Sequence, residues 1–91
     1  MFTQPNYRSK SQPPEYPRKA MRKRQQGTVL LRVLVGPQGR NLEVKLYKSS
    51  GYESLDEAAI EAVKGWQIEP AMIDGQRVSA WVEVPVTFSI K

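Results

Sequence analysis

Near the C-terminus, the stretch VSAWVEVPVTFSI (Val78–Ile90) alternates almost without interruption. Val78, Ala80, Val82, Val84, Val86, Phe88 and Ile90 are apolar, and between them only Trp81 and Pro85 are neither polar nor charged. A period of two sends successive side chains to opposite faces, so the segment is a long strand with one buried face. Such a strand needs a sheet to sit in and a layer to cover it. Pro85 narrows its place in that sheet. A proline has no N–H to give a ladder and is confined to edges or bulges, which puts this strand at an edge.

The remaining segments supply the sheet and its cover. TVLLRVLV (Thr28–Val35) is too short for a typical helix and rich in branched residues, so it reads as a strand with Val29, Leu31, Val33 and Val35 on one face. Gly36-Pro37-Gln38-Gly39 is a turn, and Leu42, Val44 and Leu46 alternate with Glu43, Lys45 and Tyr47 in a hairpin partner. After Ser49-Ser50-Gly51 the period lengthens to nearly four. Leu55, Ala59, Ala62, Val63 and Trp66 share one stripe of a helix from about Leu55 to Trp66, with Ser54 and Glu57 as its capping box. Pro70 prevents continuation and Asp74-Gly75 turns the chain. Ahead of the first strand, residues 18–26 predict a short helix with Ala20 and Met21 as inward residues and Gly27 as its stop. The helical crossover brings the last strand beside the first. The expected fold is therefore α+β: a three-stranded antiparallel sheet of order 2-1-3 with a helix packed on one face, connected β-β-α-β after a short N-terminal helix.

The chain has 91 residues, enough for one small core. It contains no cysteine and no histidine, which removes thiol nucleophiles, disulfides, the usual general base and the commonest metal ligands. No catalytic site, metal site or cofactor is expected, and the chain does not read as an enzyme. Asp56, Glu57 and Glu61 fall near the start of the helix, where acids complement the dipole. Ser49-Ser50-Gly51 lacks the lysine and glycine spacing of a phosphate loop and reads as a strand-to-helix connection. No apolar run reaches the ~20 residues needed to cross a bilayer.

The net charge of +5 suggests an anionic partner until its distribution is considered. Residues 1–24 hold seven basic side chains and one acid, Glu15, whereas residues 25–91 hold seven basic and eight acidic ones. The positive charge is an arm rather than a groove. Arg18, Lys19, Arg22, Lys23 and Arg24 read as a solvated helix face, and no nucleic acid is expected as a partner. Trp66 belongs to the core stripe and Trp81 stands alone, so the tryptophans make no stacking platform. The long last strand admits two readings: a plain edge, or a site where an extended peptide joins the sheet through main-chain bonds.

Several short motifs occur together: EYPRKA, GTVLLRVLVGPQGR, SSGYESLDEAA, KGWQIEPAMIDGQRV and VEVPVTF. In this combination, from about Pro14 to Lys91, the chain resembles the C-terminal domain of the TonB family. The resemblance implies a periplasmic module that passes energy from the inner-membrane proton gradient to outer-membrane receptors, in support of uptake of substrates such as siderophore-bound iron. It implies that a receptor segment, the TonB box, adds as a strand to the last strand, with residues just before the YP motif touching it. The partner-binding positions are then Gln12, Pro13, Tyr16, Ser79, Trp81, Glu83, Pro85, Thr87 and Ser89. Where family members often read Q-P-x-Y-P, this chain reads Q-P-P-E-Y-P, so either Gln12 or Pro13 occupies the contact position. Amide chemistry favours Gln12 and position favours Pro13. A full family member also has an N-terminal membrane helix and a proline-rich spacer that engage ExbB and ExbD. These are missing here, so the chain is expected to be an excised domain: residues 1–13 as flexible linker and strap, residues 14–91 as the TonB-like domain.

Two other classes fit parts of the pattern. A module resembling the TolA C-terminal domain shares the architecture but is usually disulfide-bonded. A small basic nucleic-acid binder would use Arg18 to Arg24. The exposed edge also allows strand exchange between two copies, giving a homodimer.

Overall fold

The structure is a computed structural model and describes residues 13–90. Its elements in chain order are α1 (Arg18–Arg22), β1 (Gly27–Val35), β2 (Asn41–Lys48), α2 (Glu53–Lys64), β3 (Ala71–Ile73), β4 (Gln76–Val78) and β5 (Ala80–Phe88). β1, β2 and β5 form an antiparallel sheet in the order β2-β1-β5, the order expected from the position of Pro85.

The period-two face of β1 is the centre of the core. Val29, Leu31, Val33 and Val35 are fully buried, opposite Val86, Val84, Val82 and Ala80 of β5. Leu55, Ala59 and Val63 of α2 close over them. Burying a Val or Leu side chain is worth about 1.5–3 kcal/mol, so this apolar layer is the main source of stability. Ala20 is fully buried, whereas Met21 is 50% exposed, contrary to its expected inward role. With only five residues, α1 turns a single position fully into the core. The helix ends at Arg22 rather than running to Gln26, and Gly27 already begins β1; the basic residues Arg18, Lys19 and Arg22 within α1 and Lys23 and Arg24 beyond it are all exposed.

Other departures have local causes. No side chain caps α2, and the Ser54–Glu57 box does not form. The helix starts two residues earlier, at Glu53, because Asp56 reaches back to the chain entering it. Asp56 is only 7% exposed; its carboxylate accepts from the Ser49 hydroxyl, from the Ser50 N–H at 2.9 Å and from the Ser50 hydroxyl at 2.8 Å. It is a buried, hydrogen-bonded anchor rather than a surface acid complementing the dipole. At its other end α2 stops at Lys64, well before Pro70, with the Gly65 N–H bonding the Ala62 carbonyl at 3.1 Å. Asn41 donates through its side-chain amide to the carbonyl of Val63 at 2.6 Å, which also accepts from the Trp66 N–H at 3.0 Å, and to that of Trp66 at 3.1 Å, tying the end of the helix to β2. Trp66 therefore lies beyond the helix and is half-buried, and fully buried Ile68 takes the core position expected of it. On β2 the apolar alternation is only partly covered: Leu42 and Leu46 are exposed and Val44 is half-buried. Finally, Val78 is not part of the last strand but ends β4, which pairs with β3 in a hairpin of its own.

Candidate docking edge

β5 pairs with β1 over its whole length, from Gly27 opposite Phe88 to Val35 opposite Ala80, without a register shift. On its other side no strand pairs with it among the described residues. In an antiparallel ladder, opposed residues alternate between exchanging both main-chain bonds and exchanging none. Pro85 faces Leu30 and has no N–H to exchange, so that pair is a non-bonded one. The phase of the ladder follows. Ala80, Val82, Val84, Val86 and Phe88 bond inward to β1, and the N–H and C=O groups of Trp81, Glu83 and Thr87, with the C=O of Pro85, point to the open side.

The side chains follow the same alternation. Val82, Val84, Val86 and Phe88 are buried under the helical layer, while Pro85 and Thr87 are exposed and Trp81 and Glu83 half-buried on the opposite face. On that opposite face Lys45 Nζ lies 5.5 Å from the centre of the Trp81 ring, and the Arg32 guanidinium stacks 3.5 Å from the centre of Tyr47. The Thr87 hydroxyl is 3.1 Å from that of Thr28 across the strands. Ser79 and Ser89 flank β5, both exposed, and the Ile90 N–H donates to the Gln26 side-chain carbonyl at 2.9 Å, tethering the strand's end.

The segment before α1 is fastened beside the same strand. The Tyr16 ring meets Phe88 edge-on, with centroids 5.3 Å apart and planes at 84°, and its hydroxyl donates to the Gln25 carbonyl. Pro13 and Tyr16 form one wall of a groove of about 640 Å³ whose other wall includes Glu61 and Trp66. Gln12 lies outside the described residues. Thus Pro13 and Tyr16 sit on the helical layer, while Ser79, Trp81, Glu83, Pro85, Thr87 and Ser89 run along the open edge. Gln25 and Gln26, which hold the strap and the strand end, carry no sequence pattern that reveals them. The β3–β4 hairpin does have such a signal in Asp74-Gly75.

Among the described residues there is no group of three or more acidic side chains that could hold a metal ion. None of their helices is long and apolar enough to cross a membrane. The family model for the Gram-negative bacterial TonB protein C-terminal region matches residues 12–90. The chain belongs to the TonB family. It is 48% identical over 77 residues to Protein tonB2 of Pseudomonas aeruginosa, covering 85% of this chain and 28% of that protein. It is 36% identical over 78 residues to Protein TonB of Vibrio cholerae, covering 86% of this chain and 32% of the relative. The chain therefore spans less than a third of these relatives. The solution NMR structure of the Pseudomonas aeruginosa TonB C-terminal domain superposes with a TM-score of 0.75 at 24% identity, over 97% of this chain and 86% of that one, which shows the shared fold.

Proposed function

We propose that this TonB-family domain is the periplasmic, receptor-binding end of an energy transducer, and that it captures the TonB box of outer-membrane receptors as a strand added to the open edge of β5. The single observation that carries this reading is the free ladder on that edge, whose outward N–H and C=O groups fit an extended peptide and little else. Pro85 interrupts the row by one donor, and the strap is anchored by Tyr16 against Phe88 of the same strand. In this reading residues 1–13 lead into a domain over residues 14–91, and either Gln12 or Pro13 touches the incoming strand. The part of the protein corresponding to the rest of the relatives' length would provide the inner-membrane anchor and the contacts with ExbB- and ExbD-like proteins. The cargo of the receptors would include siderophore-bound iron.

The test is an NMR titration of the ¹⁵N-labelled domain with peptides from the N-termini of outer-membrane receptors of the same bacterium. Shifts concentrated at Trp81, Glu83, Thr87 and the strap around Tyr16 are expected. Shifts centred instead on Arg18 to Arg24, or no response to any receptor peptide, would rule the reading out.

A further inference from the structure

We propose that the docking edge does not end with β5 but continues through Ser79 onto β4, where Arg77 selects an acidic side chain on the partner strand. This rests on the docking reading above and extends it to the length and charge of the partner.

The phase of the β3–β4 hairpin carries the argument. Its two-residue loop, Asp74 at φ 51° and Gly75 at φ 79°, has the left-handed pair of a type I′ turn. In such a hairpin the closing pair, Ile73 and Gln76, exchanges both main-chain bonds. Met72 and Arg77 then exchange none, and Ala71 and Val78 exchange both. The N–H and C=O of Arg77 therefore point away from β3. Only Ser79 separates Val78, bonded to β3, from Ala80, bonded to β1. β3–β4 and β2-β1-β5 are separate sheets joined at Ser79; with Ser79 extended, one intervening residue keeps the alternation in phase and puts β3 and β1 on the same side of β4 and β5. Among the described residues no strand pairs with the other side of β4 or β5. Arg77 and Ser79 are both exposed.

Main-chain groups dictate that the occupant is an extended polypeptide, and the odd-numbered side chains shape what it carries. Arg77, Trp81 and Glu83 share one face, and among the described residues no carboxylate pairs with Arg77. A carboxylate beside Arg77 gains a cross-strand charge pair, whereas a lysine there meets a like charge. The partner is thus longer than a segment spanning β5 alone and carries an acidic residue at the Arg77 end.

Amide exchange, measured by NMR with and without the receptor peptide that binds most tightly in the titration above, extended to thirteen residues, reads this directly. Binding should slow exchange at Arg77 and Ser79 together with Trp81, Glu83 and Thr87, and leave Val78 and Ala80 unchanged. Arg77→Glu should weaken the peptide by about two- to fivefold, the range of cross-strand charge pairs, and replacing the peptide's acidic residue by lysine should restore affinity in this variant. Protection that stops at Trp81, with Arg77→Glu binding as wild type, overturns the extension and leaves docking on β5 intact. If no odd-numbered amide of β5 is protected, both proposals fall.

Discussion

Asp56 joins two elements through one carboxylate. Burial pushes its pKa up, but the hydrogen bonds from the Ser49 hydroxyl, the Ser50 N–H and the Ser50 hydroxyl outweigh this and leave it below its ordinary 3.8. A folded-state pKa below the unfolded one means that the carboxylate contributes stability in full above about pH 4 and loses it as the pH falls through the lowered value. Asp56→Asn should therefore destabilise the domain at pH 7 by about 1.5–3 kcal/mol, the range for hydrogen bonds to a charged group. Its urea midpoint should fall less steeply than that of wild type between pH 5 and pH 2. Parallel acid profiles for the two proteins would show that the carboxylate's charge is not what matters. Ile68 makes a second prediction at this scale: with no exposed surface, its truncation to alanine should cost about 2–5 kcal/mol in chemical denaturation. An unchanged midpoint would remove it from the core. Neither residue was legible in advance. Asp56 has the same local pattern as any acid in a first helical turn, and Ile68 lies beyond Trp66, the last residue of the apolar stripe in the sequence.

At the scale of elements, periodicity was informative where one face is wholly buried and misleading where it is half-covered. β1 and β5 pack against the helical layer, so from Val29 to Val35 and from Val82 to Phe88 their alternation matches their burial. β2 carries the same alternation as an edge strand and leaves Leu42 and Leu46 in solvent. The β3–β4 hairpin disappears into the last strand on pattern alone, because Val78 continues the period of two across Ser79; only the turn residues separate them. A Cβ on Gly75 would meet nothing within 4 Å, so Gly75→Ala costs only the left-handed conformation, roughly 1–2 kcal/mol. In thermal melts the β3–β4 amides should lose exchange protection before those of β1. If they lose protection together, the hairpin unfolds with the sheet rather than separately. The docking edge was legible from Pro85, whose missing N–H fixes the phase of the ladder, but its continuation onto Arg77 depends on the turn geometry.

On the whole molecule, the basic cluster and the proposed docking edge are separated. The exposed basic cluster lies on α1 and the two residues that follow it, Lys23 and Arg24, while the open edge carries Arg77 and Glu83 as its charged outward residues. Reversing Arg22, Lys23 and Arg24 to glutamate should leave stability within about ±0.5 kcal/mol, as for other surface changes. It should slow association with an acidic peptide at low salt without changing which amides shift. Loss of the fold would show the cluster to be structural. The central claim is that a partner enters as a strand through the odd-numbered groups of β5. Backbone N-methylation at Glu83, introduced by chemical synthesis, removes one outward donor and nothing from the ladder to β1. It should weaken receptor-peptide binding by about 0.5–1.5 kcal/mol or more for the bond lost while the fold stays intact. The same change at Val82 should damage the fold. Full peptide affinity with Glu83 N-methylated would contradict strand addition at this edge.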